Sequence, residues 1–322
     1  MRKLLLLTTL TTLLAWGCSN EDNEVEEVAN ARPLIFHVSE TPLDNPESAA
    51  ARRTAPTTTA TFSSFYYRYT TGSSLNGEAN ASKNASNQWT GGSWPGPDVE
   101  TSIVVSFYAY ANVSATRYVE IKDGKVYMDF EVDAQTDSQK DLLVATASDT
   151  YENCNGNISF NFSHACGAVR FSISKTTGLS DYTVWVKSVT IYNIPSSGSY
   201  CFNDGTWTID AEGKKNFSLI SYNSGSMNVT AEKTYLSKEN DYMFLLPQTL
   251  TAWDKTGTPT NAYVEIECKI FKGETYKVGG AGTNEWGKAY LPLGITIEKG
   301  KIHPVNISMG TALRDVSGNK YF

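Results

Sequence analysis

The sequence lacks long apolar runs, basic clusters and helical periodicity, and has few histidines and cysteines. Each shortage removes a class of function. The most apolar stretch, Leu4 to Ala15, is shorter than the roughly 20 residues a membrane-crossing helix needs. Lysine and arginine total 27 against 34 acidic residues, a net charge of −7. No basic run is interleaved with aromatics, so a nucleic-acid partner has no electrostatic footprint. The histidines number three, His37, His164 and His303. No H-E-x-x-H, G-x-S-x-G or Walker loop occurs, so neither an enzyme nor a cofactor or metal site is expected. Beyond Cys18, the cysteines Cys154, Cys166, Cys201 and Cys268 lack the paired spacing of a structural zinc site. Free thiols and up to two disulfides both stay open, since an oxidising envelope permits bridges. Cys166 and Cys268 alternate with apolar neighbours and read as buried small hydrophobes.

What the chain has is a period of two. PLIFHV, TFSSFYYRY, SIVVSFYAYANV, GKVYMDFEVD and DLLVATAS are followed by NISFNFSHACGAVRFSIS and YTVWVKSVTIYNI. YMFLLPQTL, AYVEIECKIF, KAYLPLGITI and KIHPVNISM complete the series. These β-branched and aromatic runs, separated by Gly, Asn, Asp, Ser and Pro, predict an all-β protein built as a β-sandwich. Asp123-Gly124, between YVEIK and KVYMDF, is a type I′ hairpin signal. Asn203-Asp204-Gly205 and Lys299-Gly300 mark further turns. In ISFNFSHACGAVRFSIS the apolar phase flips at Gly167, which predicts a β-bulge or a strand passing between two sheets. Residues 75–100 read as a long polar loop without periodicity. A mature length of about 300 residues suggests two domains, with the division expected at residue 156.

Three local constellations bear residues capable of chemistry. His164 and Cys166 share a strand face, but side chains two apart stand roughly 6–7 Å from each other, too far for a nucleophile and its base. Asp129, Glu131 and Asp133 line one face of a strand, which suits either a calcium site or a solvated surface. Trp89 and Trp94, in the 75–100 loop, are candidates for stacking on a glycan or anchoring the loop.

The N-terminus has the order of a secretory signal: Arg2 and Lys3, the apolar stretch, then small residues up to Cys18. Ala15-Trp16-Gly17-Cys18 resembles a bacterial lipobox, which makes 1–17 a signal peptide and Cys18 the lipidated residue. Five of the seven residues Glu21–Glu27 are acidic; such a block stays extended. It reads as a solvated tether and also resembles the acidic export tag found behind the lipid cysteine of surface lipoproteins. Further on, Arg52-Arg53 stands in a run of Ala, Thr, Ser and Pro that buries too little apolar area to pack. Exposed segments of this kind are where proteolytic nicking concentrates.

Taken in order, the lipobox, PLIFHV, the arginine-bearing linker, FNFSHACGAVRFSIS, FLLPQTL and GKIHPVNIS resemble the Bacteroidetes fimbrillin family, the subunits and accessory proteins of type V pili. The resemblance spans nearly the whole chain. It implies two tandem transthyretin-like β-sandwich domains, at 54–156 and 157–322, behind a flexible leader, residues 18–53. It also implies an outer-membrane lipoprotein at the cell surface, matured by a trypsin-like or arginine-specific protease. Arg52 or Arg53 would be the cut, with Arg32 disfavoured by Pro33. Leu34, Phe36 and Val38 would be the side chains of a displaceable strand, replaced by a strand from another fimbrial subunit. Stalk, tip and accessory positions all stay open. The competing expectation is a monomeric surface lipoprotein that binds a host glycan or protein through Trp89 and Trp94.

Overall fold

The computed structural model describes residues 32–46, 64–69, 75–95, 100–112, 119–237 and 242–322. The signal segment, Cys18, the acidic block, Arg52 and Arg53 lie outside the described residues. Among the described residues the regular structure is nearly all strand. The exceptions are a single helical turn, Tyr151–Cys154, and a short 3-10 turn, Thr177–Leu179.

The first sheet has eight strands. In spatial order they are Gly77–Asn80, Ser64–Arg68, Val105–Ala111, Leu143–Asp149, Asn157–His164, Pro33–Glu40, Trp89–Ser93 and Ser82–Lys83. Its two end strands are separated in sequence by Ala81 alone, and that residue is buried. The sheet is therefore rolled, and it encloses a core of Phe36, Phe65, Phe107, Phe160 and Phe162. The strand Val105–Ala111 is buried on both faces. Phe107 and Ala109 point into that core, whereas Tyr108 and Tyr110 join a second cluster with Val126 and Met128. Burial on both faces explains why SFYAYA reads as a continuous run rather than an alternation.

The second sheet, also eight-stranded, is built on the long hairpin of Thr183–Cys201 and Thr206–Ser221. Tyr263–Lys272 pairs with the first part of Thr183–Cys201, and Lys125–Glu131 with its last part. Gly167–Lys175 belongs to a separate four-stranded sheet, flanked by Met243–Leu245 in one direction and in parallel by Ile302–Met309 in the other. Val184, Val189, Val264 and Ile266 share one cluster with Val169, Phe171, Ile173 and Ile307.

Turn chemistry behaves as the sequence predicts. Asp123 and Gly124 both have positive φ, 51° and 77°, as a type I′ turn demands. Gly205 and Gly300 are also left-handed. The phase flip at Gly167 is a strand crossing between sheets: Asn157–His164 lies in the first sheet and Gly167–Lys175 in the four-stranded one. A Cβ on Gly167 would sit 2.4 Å from Ile297 and 2.6 Å from the Glu298 carbonyl oxygen, so the crossing has room only for glycine.

Two sequence expectations are corrected. The division at residue 156 does not separate the sheets. Asn157–His164, beyond it, pairs with Leu143–Asp149 of the first sheet, and the hairpin Val119–Glu131, before it, joins the second. The continuous run 157–175 serves the first sheet and the four-stranded one, so no cut at its start can part those two. The segment 75–100 is also not a structureless loop, since it contributes Gly77–Asn80, Ser82–Lys83 and Trp89–Ser93. Strands this short and polar carry too few positions for an alternation to register.

Cys154, Cys166, Cys201 and Cys268 are all free, and only Cys154 is not buried. Burial pushes the Cys166 and Cys268 thiols well above the ordinary range, which suppresses the reactive thiolate. Iodoacetamide at neutral pH should therefore modify Cys154 first among these four and spare Cys166 and Cys268 until denaturant is added. Peptide mass mapping checks this, and native labelling of Cys166 would contradict it.

Candidate functional site

The strand Pro33–Glu40 occupies an interior position of the first sheet although it precedes every other described strand in the chain. It runs parallel to Asn157–His164, with Ile35 opposite Asn157 and Glu40 opposite Phe162. On its other side it is antiparallel to Trp89–Ser93. The Ile35 amide donates to the Gly156 carbonyl at 2.8 Å, the Thr41 amide to Phe162 at 2.8 Å, and the Trp94 amide to Arg32 at 2.6 Å. Both neighbouring strands thus depend on this one for their backbone partners.

Alternation divides its side chains between two faces. Leu34 and Phe36 are 1% and 2% exposed, and Val38 is partly buried against the same core. The Phe36 ring meets Phe65 edge-on at 4.8 Å and stacks on Phe160 at 5.1 Å. Gly91 makes that fit possible, because a Cβ there would come within 2.6 Å of Phe36. Gly156 is left-handed, and a Cβ on it would reach 2.0 Å from the Pro33 carbonyl oxygen. On the outer face His37 lies 3.3 Å from the Asn157 carboxamide, and the Ser39 hydroxyl donates to Asn161 at 3.1 Å. The chain then continues toward the four-stranded sheet. Leu43 is buried with Ala168 and Ile302, and Asp44 exchanges backbone bonds with Gly300 and Ile302 at 2.9 and 2.8 Å.

The last residue of the strand carries a feature that the sequence hid. The Glu40 side chain, 9% exposed, lies 3.7 Å from Nε2 of His164, which is 2% exposed. Nδ1 of His164 is hydrogen-bonded to Asp141. Burial raises the Asp141 carboxyl above the usual carboxylate range, against the opposing pull of His164. His164 is buried in the core, and nothing in the sequence marks Asp141 or Glu40 as its partners. A charged residue at either end of an apolar run looks like an ordinary strand terminus, so only the fold brings the three together.

The remaining candidates disperse. Trp94 is 2% exposed and packs edge-on against Phe107 at 5.4 Å and Tyr151 at 5.5 Å. Its ring is thus spent on the core, which removes it from any ligand-stacking surface. Trp89 is half-buried at the start of the strand Trp89–Ser93, which ends just before Trp94, with the Lys83 ammonium 5.2 Å from its ring. Asp129, Glu131 and Asp133 are exposed, and Glu131 pairs with Lys215 at 2.7 Å. Among the described residues no group of three His, Cys, Asp or Glu side chains is placed to hold a metal ion. Leu34, Phe36 and Val38 are therefore the sequence-marked residues that the fold gathers into one place.

Comparison with known proteins agrees with this architecture. The profile of a family described as fimbrillin-like matches residues 52–319. A fimbrial protein from Bacteroides vulgatus superposes with a TM-score of 0.53 at 15% identity, covering 86% of this chain and 95% of that one. A protein from Parabacteroides distasonis assigned to cell adhesion gives a TM-score of 0.55 at 11% identity, covering 89% and 91%. At these identities the likeness is one of fold. No curated protein sequence matches the chain.

Deleting the Phe36 ring should expose what the strand contributes. Phe36→Ala in the full-length chain is expected to lower unfolding stability by about 3–5 kcal/mol, the range for a buried aromatic. His37→Ala, on the exposed face, should stay within about 0.5 kcal/mol. Denaturant titration of both variants decides, and equal midpoints would show that the strand is not part of the stabilising core.

Proposed function

This chain belongs to the fimbrillin-like family, and from that premise we propose that it is a fimbrial subunit that assembles by exchanging its first strand for one from a neighbour. The family is structural rather than enzymatic, and the chain is a fimbrial or adhesion-related protein of the cell surface. One observation carries the finer reading. The strand Pro33–Glu40 fills an interior position of a sheet, yet it is joined to the rest only through the stretch that holds Arg52 and Arg53.

Cleavage after Arg52 or Arg53 turns that covalently held strand into a separable one. Its departure would leave Asn157–His164 and Trp89–Ser93 with unpaired backbone groups, and would vacate the space filled by Leu34 and Phe36. Exposed edges of this kind bind an extended segment, with main-chain hydrogen bonds giving affinity and alternate side chains giving specificity. Lipidation of Cys18 fits the same scheme. Cys18 lies on the leader side of the cut, so one cleavage would both open the groove and release the subunit from the outer-membrane lipid.

The C-terminal segment supports an accepting role. Leu313 is buried, Phe322 packs edge-on against Tyr182 at 5.4 Å, and the Tyr321 hydroxyl donates to the Lys288 carbonyl at 2.6 Å. In this packed state the segment offers no strand, so self-assembly requires its release, and stalk, tip and accessory positions stay open.

The test is limited digestion with trypsin, read by N-terminal sequencing and native electrophoresis. The cleaved chain should begin at Arg53 or Thr54 and form a ladder of oligomers. An Arg52→Ala/Arg53→Ala double variant should remain uncut at this point and monomeric. A cleaved chain that stays monomeric at every concentration would defeat the reading.

A further inference from the structure

The face that the first strand turns inward bears Leu34, Phe36, Val38 and then Glu40, three apolar residues and an acid at successive alternate positions. An acid on the buried face of a strand is costly unless something there answers its charge. Here the answer is His164, whose Nε2 faces Glu40 at 3.7 Å and makes no hydrogen bond, while its Nδ1 is held by Asp141. Asp141 retains a buried carboxylate oxygen without a partner. The pair is fixed by the body of the protein. Leu142 and Leu143 pair with Ala165 and His164, which brings the side chain of Asp141 beside the imidazole. His164 and Asp141 would therefore stay behind when the strand leaves, as a polar floor at one end of an otherwise apolar groove.

Given the strand-exchange reading above, on which this rests, we propose that His164 and Asp141 select the incoming strand. The partner segment of a neighbouring subunit carries a carboxylate at the register of Glu40, after apolar residues at the registers of Leu34, Phe36 and Val38. A doubly protonated imidazole donates from both ring nitrogens, so a carboxylate on the arriving strand completes a sandwich of the imidazole between two acids. An apolar residue there would remove the carboxylate that now stands 3.7 Å from the buried ring nitrogen, and a lysine would set an ammonium against the imidazole. Both cost more than the matched pair. The apolar positions determine that a strand binds, and the fourth position determines which strand.

The experiment uses the full chain nicked at Arg52-Arg53, challenged with an excess of fluorescent synthetic peptide spanning residues 32–46. Incorporation is read by size-exclusion chromatography. The native peptide should enter, the Glu40→Gln peptide should bind about tenfold more weakly, and the Glu40→Lys peptide more weakly still. A Phe36→Ala peptide controls for the apolar pockets. In a nicked His164→Gln chain the preference for Glu over Gln should disappear. If that variant fails to fold, the peptide ranking on the native chain still decides. Equal entry of the Glu, Gln and Lys peptides alongside failure of Phe36→Ala would overturn selection at this position and leave strand exchange standing. Failure of every peptide to enter would overturn strand exchange itself, and this inference with it.

Discussion

The backbone groups of Asn157–His164 need a partner, and the chain supplies it from its own first strand. That pairing joins segments from opposite ends of the first half of the sequence, in parallel, in the interior of a sheet. Everything around it depends on the same strand. Trp89–Ser93 takes its register from it, Phe36 wedges between Phe65 and Phe160, and Gly91 and Gly156 are bare where it passes. Few places in a sheet are worse suited to a removable element by packing alone. The arginine pair in the connecting stretch is what makes removal conceivable.

The run 157–175 then couples the two parts of the molecule. Its first half lies beside the leader strand and its second half beside Ile302–Met309, with Gly167 at the crossing. The leader follows the same path, ending at Leu43 and Asp44 against the start of Ile302–Met309. A change at the leader's position is therefore felt along one continuous strand. Pairings of such high sequence separation form late and slowly in folding.

Much of this was legible. Leu34, Phe36 and Val38 declared their shared face by alternation, the Asp123-Gly124 turn by its chemistry, and the crossing at Gly167 by a change of phase. Partners were not legible. Nothing local in PLIFHV says that it pairs with NISFNF, or that Val119–Glu131 belongs with Ser197–Cys201, because pairing is decided by global packing. Residues 75–100 misled because strands of two to five residues, rich in Gly and Ser, leave no period to detect. Trp94 stood open between stacking and anchoring for the same reason. Glu40 and Asp141 each resembled an ordinary strand terminus, and only their convergence on His164 distinguishes them.

Hydrogen exchange tests most directly whether Pro33–Glu40 is the replaceable partner of a groove. Backbone amides of Asn157–His164 and Trp89–Ser93 would be followed by mass spectrometry in three states: the intact chain, the cleaved chain purified away from its leader, and the assembled polymer. The account predicts protection in the first, loss confined to these strands in the second, and protection restored in the third. Unchanged protection in the cleaved, leader-free chain would contradict it, since those strands would then have no need of a partner.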